Sequence, residues 1–290
     1  MFAAISQCDG QETLPRPPKS GMHGIVGVRL IEKDGRTALA DLRQVSPLRV
    51  LFPTAAEGDP FTAALVTTSG GLVGGDSLSF DLQVGEQASG LFVAQAAEKI
   101  YRSTGADGTI DVRLSVGTGG WLEYLPQETI LFDNARLRRH TDIEVASGGR
   151  LLAGEILVFG RTARGERMNR GLVREAWRIK RQGQLVWTDT LHVEDDIAER
   201  LDDPAGFGGC HATATLALAV DDPAPFLTIL RSAPDLPTVR FGATVVNGIL
   251  IARWLSRDTP SLRQSFGAAW GDLRAAAGRL PKTLPRLWYI

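Results

Sequence analysis

Residues 67–102 read TTSGGLVGGDSLSFDLQVGEQASGLFVAQAAEKIYR. Two glycine pairs, Gly70-Gly71 and Gly74-Gly75, stand close together, and Asp76 follows the second. Adjacent glycines serve where the backbone needs positive φ or where another chain must approach closer than a Cβ allows. Among strands they mark bulges and tight approaches. From Ser77 the text alternates, turns at Gly85, and runs into a largely apolar segment carrying Glu98, Lys99, Tyr101 and Arg102. That alternation predicts strands on both sides of a glycine turn.

The same period extends outward in both directions. Residues 24–44 form two β runs around Asp34-Gly35, which predicts a hairpin. Pro47, Pro53 and Pro60 predict an edge segment. Residues 109–116 alternate with Ile110, Val112, Leu114 and Val116 on one face, and Gly117–Gly120 turns the chain into WLEYLPQETILF. Two further hairpins are predicted: 136–145 with 150–159 over Ser147-Gly148-Gly149, and 171–193 over Gln182-Gly183. Residues 212–220 read as another strand. Helical spacing appears late, over 223–232 and over 261–278, where Leu262, Phe266, Trp270, Leu273 and Ala277 share a face. The stretch ATVVNGILIARWLS between them fits a buried strand or a buried helix. No repeat of fixed period is evident, so a regular solenoid is not predicted.

Composition agrees with an all-β dominated chain of many turns. The 290 residues hold 32 glycines, 43% hydrophobic and 22% charged residues, and a net charge of −1. That balance argues against nucleic acid and anionic membranes as partners. No stretch approaches the roughly 20 apolar residues of a membrane span. Residues 1–21, with Pro15, Pro17 and Pro18, predict a flexible arm ahead of a β-rich domain over 22–290, and they lack the features of a secretory signal. With only Cys8 and Cys210 there is no disulfide framework, and a cytoplasmic chain is expected.

Familiar catalytic signatures are missing: no GxxxxGK[ST], GxGxxG, HExxH, GxSxG or CxxC. The four histidines are widely spaced, and Cys210-His211 is the one pair of soft ligands. What remains is a set of acids in apolar β text: Asp76, Glu98, Glu123, Glu128, Glu155 and Glu166. A buried carboxylate must be paired, protonated, wet or bound to a cation. Two readings follow. Each acid pairs with Lys99, Arg102, Arg161 or a backbone amide or simply faces solvent, or together they line a polar path for a cation. Trp121, Trp177, Trp187 and Trp254 read as core, and Trp288 as either a packing anchor or a partner contact.

The fragments TTSGGLVGGDSL, QAAEKIYRS, LEYLPQETILF, GRTARGE and LPRLWYI, in that order, resemble the urease accessory protein family UreD, also called UreH. One departure is visible: Val93-Ala94 stands before Gln95 where the family usually carries threonines. The resemblance implies a single elongated body like an irregular β-helix, with about two flanking helices. It implies a non-catalytic scaffold that joins apo-urease to UreF and the GTPase UreG and passes nickel toward the urease active site. No cofactor is expected to be bound permanently. The motif positions carry over as Asp76, Glu98, Glu123, Glu128 and Glu166 for a transient nickel path, with Asp76 and Glu98 foremost. Lys99, Tyr101 and Arg161 are expected to hold the acids or the fold. The alternatives are a purely structural adaptor and a metal-dependent hydrolase built on the same acids.

Overall fold

A computed structural model describes residues 21–232 and 236–289. The arm predicted over 1–21 lies, apart from Gly21, outside the described residues. In chain order the strands are β1 (His23–Lys33), β2 (Arg36–Val45), β3 (Leu48–Leu51), β4 (Phe61–Thr67), β5 (Ser77–Val84), β6 (Ser89–Ala94), β7 (Glu98–Ile100), β8 (Gly108–Val116), β9 (Trp121–Leu125), β10 (Thr129–Leu131), β11 (Arg136–Val145), β12 (Arg150–Phe159), β13 (Leu172–Arg181) and β14 (Gln184–Glu194). Helix α1 (Ile197–Asp202), β15 (Ala212–Ala219), α2 (Ala224–Arg231), β16 (Val239–Val246), β17 (Ile249–Ser256) and α3 (Thr259–Gly278) complete the chain.

The chain coils. Each turn places one strand in a first sheet, ordered β14-β13-β11-β8-β5-β1-β2, and the next in a second sheet, ordered β16-β17-β15-β12-β9-β6-β4-β3. Strands β5, β8, β11 and β13 pair in parallel in the first sheet, as do β4, β6, β9 and β12 in the second. Short β7 and β10 pair in parallel between coils. The result is a β-solenoid-like arrangement of about 4 turns, about 50% strand and 15% helix. Antiparallel strands finish both ends: β2 on β1, β3 on β4, β14 on β13, and β15, β17 and β16 beyond β12. Thr109 stands beside Ser77, Arg138 beside Thr109 and Arg174 beside Arg138, so the coils differ in length and leave no fixed period.

Corners stack where side chains are absent. A Cβ on Gly117 would lie 2.7 Å from the Glu86 nitrogen, and one on Gly149 would lie 2.9 Å from the Gly117 oxygen. Glycine therefore lets successive corners touch backbone to backbone.

These corners correct one expectation. Residues 136–145 and 150–159 are not a hairpin: β11 lies in the first sheet between β8 and β13, and β12 in the second between β9 and β15. The Ser147–Gly149 turn carries the chain across to the other sheet. Its signal was the apolar run of β12, buried at every position after Arg150. A strand covered on both faces loses the alternation of a half-exposed one. The hairpins at Asp34-Gly35 and Gln182-Gly183 form as predicted, with positive φ at each of those four residues. The ambiguous stretch 243–256 is also a hairpin, β16 and β17, turning at Asn247 (φ 49°) and Gly248 (φ 77°).

Two cores result. One fills the space between the sheets, with Leu82, Phe92, Leu114, Leu151 and Trp177 among its members. The other joins the second sheet to α3. All five residues of the predicted α3 face are buried there. Burying Phe266 contributes about 1.5–3 kcal/mol. Helix α2 follows the predicted 223–232 segment, and the six-residue α1 adds a third helix that no sequence signal marked.

Candidate functional site

The 67–102 stretch builds one rim of a cavity that opens to the surface. Gly71 has φ 144°, and Leu72 ties across to β7: its N–H donates to the Lys99 carbonyl and its carbonyl accepts from the Tyr101 N–H, each at 2.8 Å. The Tyr101 hydroxyl donates to the Gly70 carbonyl at 3.0 Å, and its ring meets Phe132 edge-on. These contacts fix β7 and hence Glu98.

Glu98 lines a cavity of about 360 Å³ together with Thr67, Gln95, Tyr124, Thr129 and Arg139. The Thr67 hydroxyl donates to Glu98 Oε2 at 2.6 Å. Burial pushes the Glu98 carboxyl above its usual range, and the Thr67 hydrogen bond only partly opposes this. The folded state therefore favours the protonated acid. Its stabilising contribution is full below the ordinary pKa of 4.5 and is lost as pH rises through the raised value. We expect Glu98→Gln to flatten the fall of Tm as pH rises above 4.5. Calorimetry at several pH values checks this, and parallel profiles for variant and parent would refute it.

Behind the cavity lies a buried ionic cluster. Arg139 faces inward from β11, beside its register partner Glu175 on β13. Its Nε donates to Glu175 Oε2 at 2.5 Å, one terminal nitrogen donates to Thr129 Oγ1 at 2.9 Å, and the other pairs with Glu155 on β12. Glu175 is 2% exposed, and its Oε1 has no hydrogen-bond partner. The indole N–H of Trp177 is likewise buried without a partner. Burial drives the Glu175 carboxyl well above the usual range; Arg139 opposes this and Glu155 adds to it. Burial alone would weaken the charge on Arg139, yet Glu175 and Glu155 more than offset it and raise its pKa.

Glu155, Glu175 and Trp177 also line a second cavity, of about 440 Å³, whose wall includes Asp189, Arg240 and Arg253. The cluster thus stands between two cavities: Arg139 borders the first, and its two acid partners border the second.

The other acids are occupied elsewhere. Asp76 Oδ1 accepts from the Met22 N–H at 2.8 Å and Oδ2 from the Val73 N–H at 2.9 Å, so its carboxylate closes the Gly74-Gly75 turn against the start of β1. Glu123 has no exposure and points into the α3 core, because neighbours on a strand face opposite ways and Tyr124 faces the cavity. It accepts from Trp121 Nε1 at 3.0 Å and Trp270 Nε1 at 2.8 Å, and pairs with Arg274 at 3.2 Å. Glu128 pairs with Arg263 at 2.5 Å. Glu166 pairs with Arg161, which lies over the Phe132 ring, and accepts from the Asp133 N–H at 3.0 Å. Of the five acids carried by the resemblance, only Glu98 lines either of these two cavities.

Cys210 is buried and has no disulfide partner among the described residues, and His211 borders a separate cleft with Asp258 and Arg263. No group of three metal-ligating side chains occurs among the described residues. Trp288 is a packing anchor, 3% exposed against Phe266 and beneath Arg263. The sequence reading missed Arg139 and Glu175. Their signal was a charged residue at an inward position of an otherwise alternating strand, with Arg139 between Leu137 and Thr141 and Glu175 between Val173 and Trp177.

The family profile described as "UreD urease accessory protein" matches residues 22–289. A "Urease accessory protein UreD" of Magnetococcus marinus is 44% identical over 278 residues, spanning 94% of this chain and 96% of that protein. Proteins of the same name from Rhodopseudomonas palustris strain HaA2 (42% over 255 residues, 88% of each chain) and, as UreD 3, from Bradyrhizobium sp. BTAi1 (39% over 258 residues, 88% and 89%) are also similar.

Proposed function

The chain belongs to the UreD urease accessory protein family, and on that premise we propose that it is a non-catalytic scaffold through whose interior nickel passes on its way to urease. The observation that carries this reading is the Arg139–Glu155–Glu175 cluster interposed between two cavities, one of them holding Glu98. Nickel is the cargo, and oxygen ligands in small number suit brief residence of such an ion better than a thiolate cage.

In this reading the ion enters the Glu98 cavity, exchanges waters for single carboxylate contacts, and reaches Glu155 and Glu175 beyond Arg139. Asp76, Glu123, Glu128 and Glu166 act by holding the walls, since each is committed to an amide, an indole or an arginine. The chain joins apo-urease to UreF and UreG, so that the path leads from the GTPase toward the urease site.

Glu98→Ala is the direct test. The variant is expected to fold, to co-purify with urease, UreF and UreG, and to lower nickel incorporation and urease activation by about tenfold or more, the scale of loss when a metal-handling group is removed. Undiminished nickel content in urease matured with Glu98→Ala would reject the path. Loss in strict proportion to lost complex would favour the structural adaptor.

A further inference from the structure

We propose that Arg139 is a resident cation that keeps the Glu155–Glu175 pair from trapping the ion that passes it. This inference rests on the nickel path proposed above and assigns a role to a residue that lines it without being an acid.

One guanidinium meets both carboxylates and the Thr129 hydroxyl. The four side chains come from β10, β11, β12 and β13, so four separate segments converge on the point that Arg139 fills. Emptied of the guanidinium, the same point would be ringed by two carboxylates and a hydroxyl. Such an all-oxygen set with two negative charges holds hard and borderline divalent cations. With Arg139 in place, two of the four carboxylate oxygens are taken. Glu175 Oε2 and Glu155 Oε2 are engaged by the guanidinium, while Glu175 Oε1 is buried without a partner, and both residues line the second cavity. The one spare oxygen on each arginine-paired carboxylate holds a divalent ion briefly; a free chelating pair holds it long. The ionic partner that occupies the pair thereby sets how long cargo stays.

The arrangement also explains why an arginine suits the position. A lysine is a point charge with one nitrogen, whereas the planar guanidinium reaches Glu155, Glu175 and Thr129 at once. Leaving two carboxylates uncompensated between the sheets would be costly, so the resident charge serves the fold and limits affinity together.

Equilibrium dialysis of the full chain against nickel chloride, with metal analysis, tests this. The parent is expected to bind nickel weakly. Arg139→Gln is expected to bind at least about tenfold more tightly, and Arg139→Gln with Glu175→Gln to return to weak binding. Arg139→Gln that folds and binds no more tightly than the parent overturns the proposal. Should that variant fail to fold, Glu175→Gln decides: it leaves the Arg139–Glu155 pair balanced and removes the second negative charge beside it. Loss of the residual nickel binding supports the proposal, and binding equal to the parent overturns it. The two readings separate cleanly. If Arg139→Gln retains nickel yet urease activation is unchanged, the affinity role stands and the path falls. If Glu98→Ala abolishes activation while Arg139→Gln binds no tighter, the path stands and this role falls.

Discussion

Glu123→Ala is expected to destabilise the chain by about 3–5 kcal/mol, the scale observed when one partner of a buried ion pair is removed. The carboxylate has no solvent exposure and is the shared acceptor for two indoles and one guanidinium. Its removal leaves Arg274 buried with Asp59 as its remaining acid, and leaves the Trp121 and Trp270 N–H groups without an acceptor. Each orphaned donor costs about 1–3 kcal/mol by itself, but these terms share one site and do not add. Against a total stability of about 5–15 kcal/mol the loss is large. Because Glu123 sits on β9 and Trp270 and Arg274 on α3, the helix is expected to loosen from the second sheet first. Urea unfolding of the purified chain measures the effect. A midpoint within experimental error of the parent would show that α3 is held by its apolar face alone. Urease maturation should fall with Glu123→Ala only as far as folded protein is lost, which distinguishes this acid from Glu98.

Gly71→Ala should damage the rim of the Glu98 cavity from the backbone side. At φ 144° an alanine is strained, and its Cβ would sit 2.4 Å from the Lys99 carbonyl oxygen and 2.8 Å from the Tyr101 ring. The nearest atom is backbone, so no rotamer relieves the clash. Overpacking of this kind costs about 1–3 kcal/mol, with about 1 kcal/mol more for the conformation. Relief requires β7 to move, which breaks the pairing of Leu72 with Lys99 and Tyr101 and shifts Glu98. The expected result is a lowered Tm together with loss of the proposed nickel transfer. By contrast, Gly75→Ala meets no atom within 4 Å and should suffer only the conformational cost of its φ of 93°. Equal losses from the two substitutions would disprove the steric account.

Strand text, turn residues and the α3 stripe were legible because each is a local property. Alternation in β5, β8 and β11 follows from a two-residue period, and Asp34-Gly35 and Gln182-Gly183 adopt positive φ at the turns their residue types favour. The resemblance extended that reading to the family and to an irregular coil. The Ser147–Gly149 corner was misread because a tight turn between two strands has the same local chemistry whether the second strand returns beside the first or crosses to another sheet. Which of these happens depends on the neighbours each strand finds, and those are tens of residues away.

The candidate site divides in the same way. Composition and motif order marked this chain as β-rich and placed acids in apolar surroundings, because burial preference and turn chemistry are written residue by residue. Where those acids point was decided by packing. Glu123 turned toward α3 and Glu98 toward the cavity, while Asp76 was taken up by the Met22 and Val73 amides. Arg139 became central only when β10, β11, β12 and β13 brought Thr129, Glu155 and Glu175 around it. Charge compensation in a buried space is a property of groups that meet through the fold, and no spacing along the chain specifies that meeting.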